Sequence, residues 1–247
     1  MNFHLGPSST TFTIIARCEH TGTLGMGIST STIAVAARCS FIRCNVGVVA
    51  TQAYADPALG PLGLNLLELG FTPEKVLQEL RGSDKWFEFR QIGIIDAEGR
   101  LAVVTGTKNM EWKGHVAGKD HIAMGNYLAG PAVIERMSEA YASAPGELFE
   151  ERLMRALEAG AAAGGDRGGQ LSAGLLTYAG RPYPRTDLRI DLQEPSAADP
   201  RDAVGALRTL FDEFRPLIEY YERKPREPMI GSWKDWVAAG GPPTQRT

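Results

Sequence analysis

The residues with the most specific chemistry open the first apolar segment of the chain, Thr10-Thr11-Phe12-Thr13. A threonine hydroxyl is a poor nucleophile until a base removes its proton, and the residue's own α-amino group can do this when the threonine is N-terminal. That amine has a pKa of ~7.7–8.0, so a useful fraction is unprotonated at neutral pH. Thr11 gains a free amine only if residues 1–10 are removed, and a threonine that opens a strand can also be a plain β-former. Thr11 is therefore a candidate catalytic residue, with a purely structural role as the alternative.

Polar groups also stand at the ends of two further apolar segments. Thr51, Gln52 and Asp56 follow the segment VGVVA and could hydrogen-bond a polar ligand where a strand ends at a cleft. Alternatively, Gln52 satisfies nearby backbone and Asp56 begins the next helix. The Gly125 amide and the Asn126 side chain could stabilise an oxyanion, which would make Asn126 a second catalytic candidate. A Gly-Asn pair is equally typical of a turn.

The glycine-rich segment at residues 164–169, GGDRGG, has the composition of a phosphate-binding loop. It lacks the Lys-Ser/Thr pair of a P-loop and precedes a predicted strand rather than a helix, which excludes that motif. Two interpretations stay open: a loop that closes over a site and brings Asp166 and Arg167 to a substrate, or a flexible connection.

Neither the histidines nor the cysteines have the spacing of a metal site. The histidines lack the i, i+4 spacing of a helical site, and the cysteines contain no C-x-x-C pair. We therefore expect no metal and no cofactor. Three unpaired thiols are typical of a reducing compartment, so the expected location is cytoplasmic.

Hydrophobic periodicity divides the chain into strands and helices. The predicted strands are Phe12–Arg17, the segment from Leu24 to Ser29, Val46–Gln52, Gln91–Asp96, Leu101–Thr105, Val116–Gly118, His121–Met124, Leu171–Tyr178 and Leu188–Leu192. The predicted helices are Ala58–Leu69, Lys75–Leu80, Pro131–Ala142, Gly146–Ala163 and a last helix from Asp199-Pro200 to Tyr221 that Pro216 should interrupt.

Hairpins alternate with pairs of helices in this order, whereas single βα units would indicate a doubly wound parallel sheet. The prediction is an α+β fold, a four-layer α/β/β/α sandwich of two mostly antiparallel sheets. We expect an extension at residues 1–10, one domain at 11–222 and a tail at 223–247. Trp233 and Trp236 should anchor the tail on the body or on a second subunit, so a homodimer is expected.

The charge balance excludes several classes of partner. The chain has 26 Lys+Arg against 29 Asp+Glu, a formal net charge of −3, without the basic excess of a nucleic-acid-binding domain. No apolar run approaches the ~18 residues of a membrane span, and the first residues lack the pattern of a signal peptide. We therefore expect a small-molecule ligand, with neither nucleic acid nor membrane as a partner.

A series of segments, in order, resembles the bacterial domain of unknown function 1028 family. The segments that carry the resemblance include TFTIIAR, LGMGIST, VGVVATQAYADPALGPLGL, RQIGIIDAEGR, GNYLAGP, GGDRGG and DLRID, between about Thr11 and about Leu217. The family is similar in fold to the N-terminal nucleophile (Ntn) hydrolases. The resemblance therefore implies an Ntn-like sandwich, in agreement with the predicted layers.

The resemblance also implies roles for individual positions. Relatives commonly begin Met-Thr-Phe, so Thr11 matches a threonine that loss of methionine alone would expose. They share the asparagine at Asn126. They also share the serine at Ser172, but they have glutamine before it where this chain has Leu171. They carry Asn where this chain has Asp56, and often Lys or His near Ser31. The first lysine here is Lys75.

Two functions remain open from the sequence. The first is an amidohydrolase acting on a small amide or peptide-like substrate, with Thr11 as nucleophile and Asn126 and Gly125 at the oxyanion. The substrate would contact polar residues of the segments above: Thr51, Gln52, Asp56, Asp166, Arg167 and Ser172. The alternative is a non-catalytic binding or scaffold protein of the same fold. Some relatives carry a peptidoglycan-binding domain, which gives that alternative a possible cell-wall link.

Overall fold

The computed structural model describes residues 10–193 and 202–240, which form two antiparallel sheets and several helices. The strands are β1 (Thr11–Arg17), β2 (Leu24–Thr30), β3 (Ser40–Arg43), β4 (Gly47–Ala53), β5 (Arg90–Asp96), β6 (Leu101–Thr105), β7 (Gly114–Ala117), β8 (His121–Asn126), β9 (Ser172–Tyr178) and β10 (Thr186–Ile190). The α-helices are α1 (Val35–Cys39), α2 (Leu59–Glu68), α3 (Pro73–Ser83), α4 (Ala132–Ala142), α5 (Phe149–Ala162), α6 (Ala203–Phe214), α7 (Ile218–Arg223) and α8 (Trp233–Ala238).

The larger sheet has six strands in the order β10-β9-β2-β1-β8-β7, and the smaller sheet has the order β3-β4-β5-β6. Every pair of neighbouring strands is antiparallel. The two central strands of the larger sheet are β2 and β1, and β1 places Thr11 opposite Asn126 of β8. The α+β class with two antiparallel sheets is therefore as the sequence predicted.

Three clusters of buried apolar side chains hold these elements together. The large-sheet cluster joins one face of the six-stranded sheet to α4, α5 and α6, and includes Phe12 and Ile14. The inter-sheet cluster lies between the two sheets and includes Ile15 and Met124. The small-sheet cluster joins the outer face of the four-stranded sheet to α2 and α3. Successive residues of β1 thus enter different clusters, because side chains alternate across a strand.

Glycines on β2 let a helix approach the sheet closely. A Cβ on Gly25 would lie 2.6 Å from Phe149 and 2.7 Å from Leu153 of α5, and one on Gly27 would lie 3.0 Å from Leu157. Glycine alternates with large apolar residues along β2. The glycine face of the strand therefore packs against α5, and the face with the large side chains lies between the sheets.

The structure agrees with the predicted helix ends where a capping residue or a proline determines them. Thr72 caps α3 by accepting a hydrogen bond from the Lys75 amide, with Pro73 in the first helical position. The last predicted helix is interrupted at Pro216, where a short 3-10 turn separates α6 from α7. Its predicted start at Asp199-Pro200 lies outside the described residues, and α6 begins after Asp202, which caps it.

The described part of the tail contacts the end of the preceding helices. The Trp236 indole donates to the Pro216 carbonyl at 3.2 Å, and its ring lies 5.8 Å from that of Tyr220. Tyr220 and Lys224 both donate to the Gly231 carbonyl. Within residues 10–193 and 202–240, no helix is both long and apolar enough to cross a membrane.

Candidate functional site

Thr11 is buried at the start of β1, on the face that turns toward the second sheet. Ile15, four residues later on the same face, belongs to the inter-sheet cluster, whereas Phe12 and Ile14 face the helices. Only 4 % of Thr11 is exposed. In the uncleaved chain the Thr11 nitrogen belongs to the peptide bond with Thr10, so Thr11 has a free amine only after that bond is broken.

The carbonyl between Thr10 and Thr11 is contacted by two hydroxyl groups. The Thr11 hydroxyl donates to it, and so does the hydroxyl of Thr30, the last residue of β2. The two hydroxyl oxygens are 3.4 Å apart. A carbonyl that accepts such bonds is polarised toward nucleophilic attack, because the donors stabilise negative charge on its oxygen.

Asp166 brings a carboxylate to the same place from the glycine-rich segment. One carboxylate oxygen accepts from the Ser31 amide at 3.1 Å and the other accepts from the Gly168 amide at 2.7 Å. The Thr10 side chain also favours the charged form of the carboxylate. Burial raises the pKa of Asp166 to about 6, even though these hydrogen bonds favour the charged form. Asp166 can therefore exchange a proton near neutral pH, and it does so beside Thr10, the residue that precedes Thr11.

Beneath Thr11, amide side chains join the two sheets. The Thr13 hydroxyl donates to Gln52 of β4 at 2.6 Å, and Gln52 donates to Gln91 of β5 at 2.8 Å. The Asn126 amide donates to the same Gln91 oxygen at 3.2 Å. All four side chains are fully buried, and the side-chain oxygen Oδ1 of Asn126 has no hydrogen-bond partner among the described residues. The network therefore fixes Asn126 next to Thr11 while leaving one acceptor unused.

Gln91 is the residue at this site that the sequence analysis missed. Its side-chain nitrogen lies within hydrogen-bond distance of three acceptors, the Thr105 hydroxyl and the carbonyls of Gly114 and Gly125, at 2.9–3.0 Å, and its two hydrogens are shared among them. The sequence could have pointed to Gln91, because an amide side chain within the mostly apolar strand RQIGIID would be buried and would require hydrogen-bond partners. Thr30 and Ser31 were likewise not predicted as site residues.

The structure separates Thr51 and Gly125 from the others. Thr51 is paired in register with Ile92, a member of the small-sheet cluster, so it points toward α2 and α3 and away from Gln52. Its buried hydroxyl has no partner in the described part of the chain. The Gly125 amide lies in the plane of the sheet between Phe12 and Gly114, because strand N–H groups point along the ladder. Neither group is aimed at the space that Thr11 faces.

Three other predicted residues have roles of their own. Asp56 accepts from the Ala58 amide at 3.0 Å ahead of α2, as the helix-start alternative proposed. Arg167 is exposed, with its guanidinium 5.9 Å from the ring centre of Tyr127. Ser172 is buried, donates to the Thr32 carbonyl at 2.6 Å and accepts from the amide that begins α1. Ser172 thus supports the turn that carries Ser31 rather than contacting Thr11.

A cavity of about 730 Å³ lies at the opposite end of the sheets. It is lined by Cys18 and Thr23, which flank the turn between β1 and β2, and by the start of α5. Seven strand residues span about 20 Å, which separates this cavity from Thr11. It contains none of the predicted site residues. The three cysteines are free, and residues 10–193 and 202–240 contain no cluster of three or more side chains suited to a metal ion.

Comparison with known proteins assigns the chain to a family. The model of a family of unknown function, DUF1028, matches residues 11–199. The crystal structure of protein SPO2555 from Silicibacter pomeroyi, itself assigned to DUF1028, is 30% identical with a TM-score of 0.77, over 92% of this chain and 90% of that chain. Anbu (ancestral beta-subunit) from Yersinia bercovieri is 10% identical over 86% of this chain and 97% of that chain. Its TM-score of 0.38 is too low to define a shared fold. No protein with a curated description matches. The chain therefore belongs to the family of unknown function DUF1028.

Proposed function

We propose that this protein hydrolyses an amide bond by the chemistry of an N-terminal nucleophile hydrolase, with Thr11 as the nucleophile. One observation carries the proposal: the buried Thr11 hydroxyl contacts the carbonyl of the peptide bond that precedes it, and the Thr30 hydroxyl donates to the same carbonyl. The proposed fold is the four-layer α/β/β/α sandwich. Apolar clusters on both faces of each sheet support this arrangement.

The first step in the proposal frees the Thr11 amine. The hydroxyl oxygen of Thr11 attacks the Thr10 carbonyl carbon through a five-membered ring, and the bond between that carbon and the Thr11 nitrogen breaks. The nitrogen gains the proton that the hydroxyl loses, which leaves an ester between Thr10 and the Thr11 side chain. Water then hydrolyses the ester, so residues 1–10, here called the leader, depart as a carboxylic acid. Thr30 stabilises the charge that develops on the carbonyl oxygen.

The same atoms then act on a substrate. The free Thr11 amine accepts the hydroxyl proton as the oxygen attacks the substrate amide carbon. The carbon–nitrogen bond breaks, the leaving amine takes that proton, and an ester to Thr11 remains until water releases the acid. Asn126, the register partner of Thr11, is proposed as the second oxyanion donor in place of the Gly125 amide, through the side-chain N–H that does not donate to Gln91. Gln52 and Gln91 hold Asn126 and Thr13 in position.

Burial of the uncleaved bond favours a second candidate function, a non-catalytic binding or scaffold protein of the same fold. Thr10 and Thr11 are covered almost completely. The resemblance to relatives implies a Lys or His near Ser31, and this chain has at Ser31 a hydroxyl that lies 2.5 Å from the Thr10 hydroxyl instead. In a protein that keeps its leader, Thr10, Thr11 and Ser31 would only stabilise the fold.

Intact-mass spectrometry of the full chain, fresh and after ageing, separates the two functions. The hydrolase proposal expects a species that begins at Thr11, and expects Thr11→Ala to retain residues 1–10. Thr209→Ala is the matched control, because this threonine is exposed on α6 and should leave leader release unchanged. A panel of small amides then tests turnover by the released protein. A wild-type chain that always retains the leader and hydrolyses no amide would refute the hydrolase and leave the binding function.

A further inference from the structure

Thr10, the last residue of the leader, fills a small polar pocket. Only 1 % of it is exposed. Its hydroxyl lies 2.5 Å from the Ser31 hydroxyl and faces the Asp166 carboxylate, whose charged form it favours. Ser31 is fully buried and Asp166 nearly so. Thr10 supplies the acyl carbonyl that the Thr11 hydroxyl contacts. We therefore call the space around the Thr10 side chain, formed by Ser31, Asp166 and Gly168, the acyl pocket.

The acyl pocket is shaped for a short side chain that can hydrogen-bond. A Cβ on Gly168 would lie 2.6 Å from both Cβ and Oγ of Ser31, so only glycine allows the segment to approach this closely. The Gly168 and Ser31 amides orient the Asp166 carboxylate toward Thr10. An apolar side chain in the pocket would bury the Ser31 hydroxyl without the Thr10 hydroxyl as its partner, and would remove one polar contact of the buried carboxylate, which is costly.

The position of the attacked carbon links this pocket to substrates. The Thr11 hydroxyl reaches one carbonyl in this structure, and the side chain on the acyl side of that carbonyl lies between Ser31 and Asp166. A substrate whose carbonyl takes the same place must put its own side chain in the same pocket.

We propose that the acyl pocket selects substrates whose acyl residue carries a small hydrogen-bonding side chain, such as threonyl or seryl amides, over apolar acyl groups of the same shape. This inference rests on the proposed function of Thr11. The leader is then the first substrate of the site, and its last residue shows the preferred side chain.

The test compares threonyl and valyl p-nitroanilides on protein that has released its leader from the full chain. Valine has the shape of threonine without the hydroxyl, so kcat/KM should be about 10- to 100-fold lower for the valyl compound. Ser31→Ala should reduce that ratio toward one. Leader release should follow the same order, with Thr10→Ser close to wild type and Thr10→Val slower by a similar factor.

Equal kcat/KM for the two anilides would overturn the acyl pocket while leaving the hydrolase intact, because turnover itself would have been observed. The same holds if Thr10→Val releases its leader as fast as wild type. A chain that neither releases its leader nor hydrolyses either anilide would refute the proposed function, and the acyl pocket with it. The anilide comparison needs no variant, so a misfolded Ser31→Ala protein would not hide the answer.

Discussion

Replacing Asp166 by asparagine should change how the stability of the folded chain depends on pH. The carboxyl is buried, and its pKa rises from 3.8 to about 6 in the folded chain. An acid with a raised pKa holds its proton more tightly when folded, so its contribution stabilises the fold at low pH and is lost as the pH rises through about 6. Asparagine keeps the shape of the side chain and removes this titration.

The size of the effect follows from the shift. At about 1.4 kcal/mol per pKa unit, the full difference between protonated and ionised forms is about 3 kcal/mol. Between pH 7.5 and pH 4.5 the single-site linkage relation gives about 2 kcal/mol, because pH 4.5 still lies above the unfolded pKa of 3.8 and only part of the interval between the two pKa values is crossed. Acidification should therefore stabilise the Asp166 protein relative to Asp166→Asn by about 2 kcal/mol.

Urea unfolding at pH 4.5, 6.0 and 7.5 measures this difference. The Thr11→Ala background keeps Thr10 attached and its hydroxyl in contact with the carboxylate. All other carboxyl groups titrate in both proteins, so their contributions cancel in the comparison. Asp56→Asn is the matched control, because the half-buried Asp56 accepts one amide bond that asparagine can also accept. Parallel stability curves for the Asp166 protein and its asparagine variant would refute the argument from burial.

Three further predictions concern packing and polar contacts, each measured as the free energy of unfolding unless stated. Gln91→Leu should cost about 2–4 kcal/mol, because two buried amide donors lose their acceptor, and a loss under about 0.5 kcal/mol would contradict the proposed network. Gly25→Ala should cost about 1–3 kcal/mol through contact with α5, whereas Gly82→Ala, with open space around it, should be neutral or stabilising. Trp236→Ala should speed tryptic cleavage of the tail, because the indole bond to the Pro216 carbonyl is lost, and unchanged cleavage would show that this contact does not hold the tail.

Much of the secondary structure could be predicted because it depends on local chemistry. Strand β1 follows from period-two alternation, and α3 from a threonine cap followed by proline. The helix α1 was missed because it is only five residues long and follows Ala34 at a φ of 52°, so it has neither a periodic stripe nor a recognisable cap. Strand β3, with four half-buried residues, was missed for want of a clear pattern.

The candidate site could be predicted only in part. Thr11, Asn126 and Gln52 were named as candidates because polar residues at the ends of apolar strands stand out along the chain. Asp166 was named from the glycine-rich segment, and the structure places it against Ser31. Thr51 was grouped with Gln52 by proximity in sequence, but neighbours on a strand face opposite ways and the two are separated by the sheet. Asp56 was grouped with them in the same way, and in the structure its side chain bonds the amide ahead of α2.

The sequence by itself determined most of the elements, the candidate nucleophile and the number of residues that precede it, because these depend on residue type and short-range spacing. Only the tertiary structure decided which polar groups meet. Ser31 and Asp166 are 135 residues apart in sequence, and the contact between them closes the pocket around Thr10. Such a contact depends on the order in which strands pair and on how a glycine-rich segment returns to the sheet. Local sequence patterns do not encode either, since any strand of suitable pattern can pair with several others.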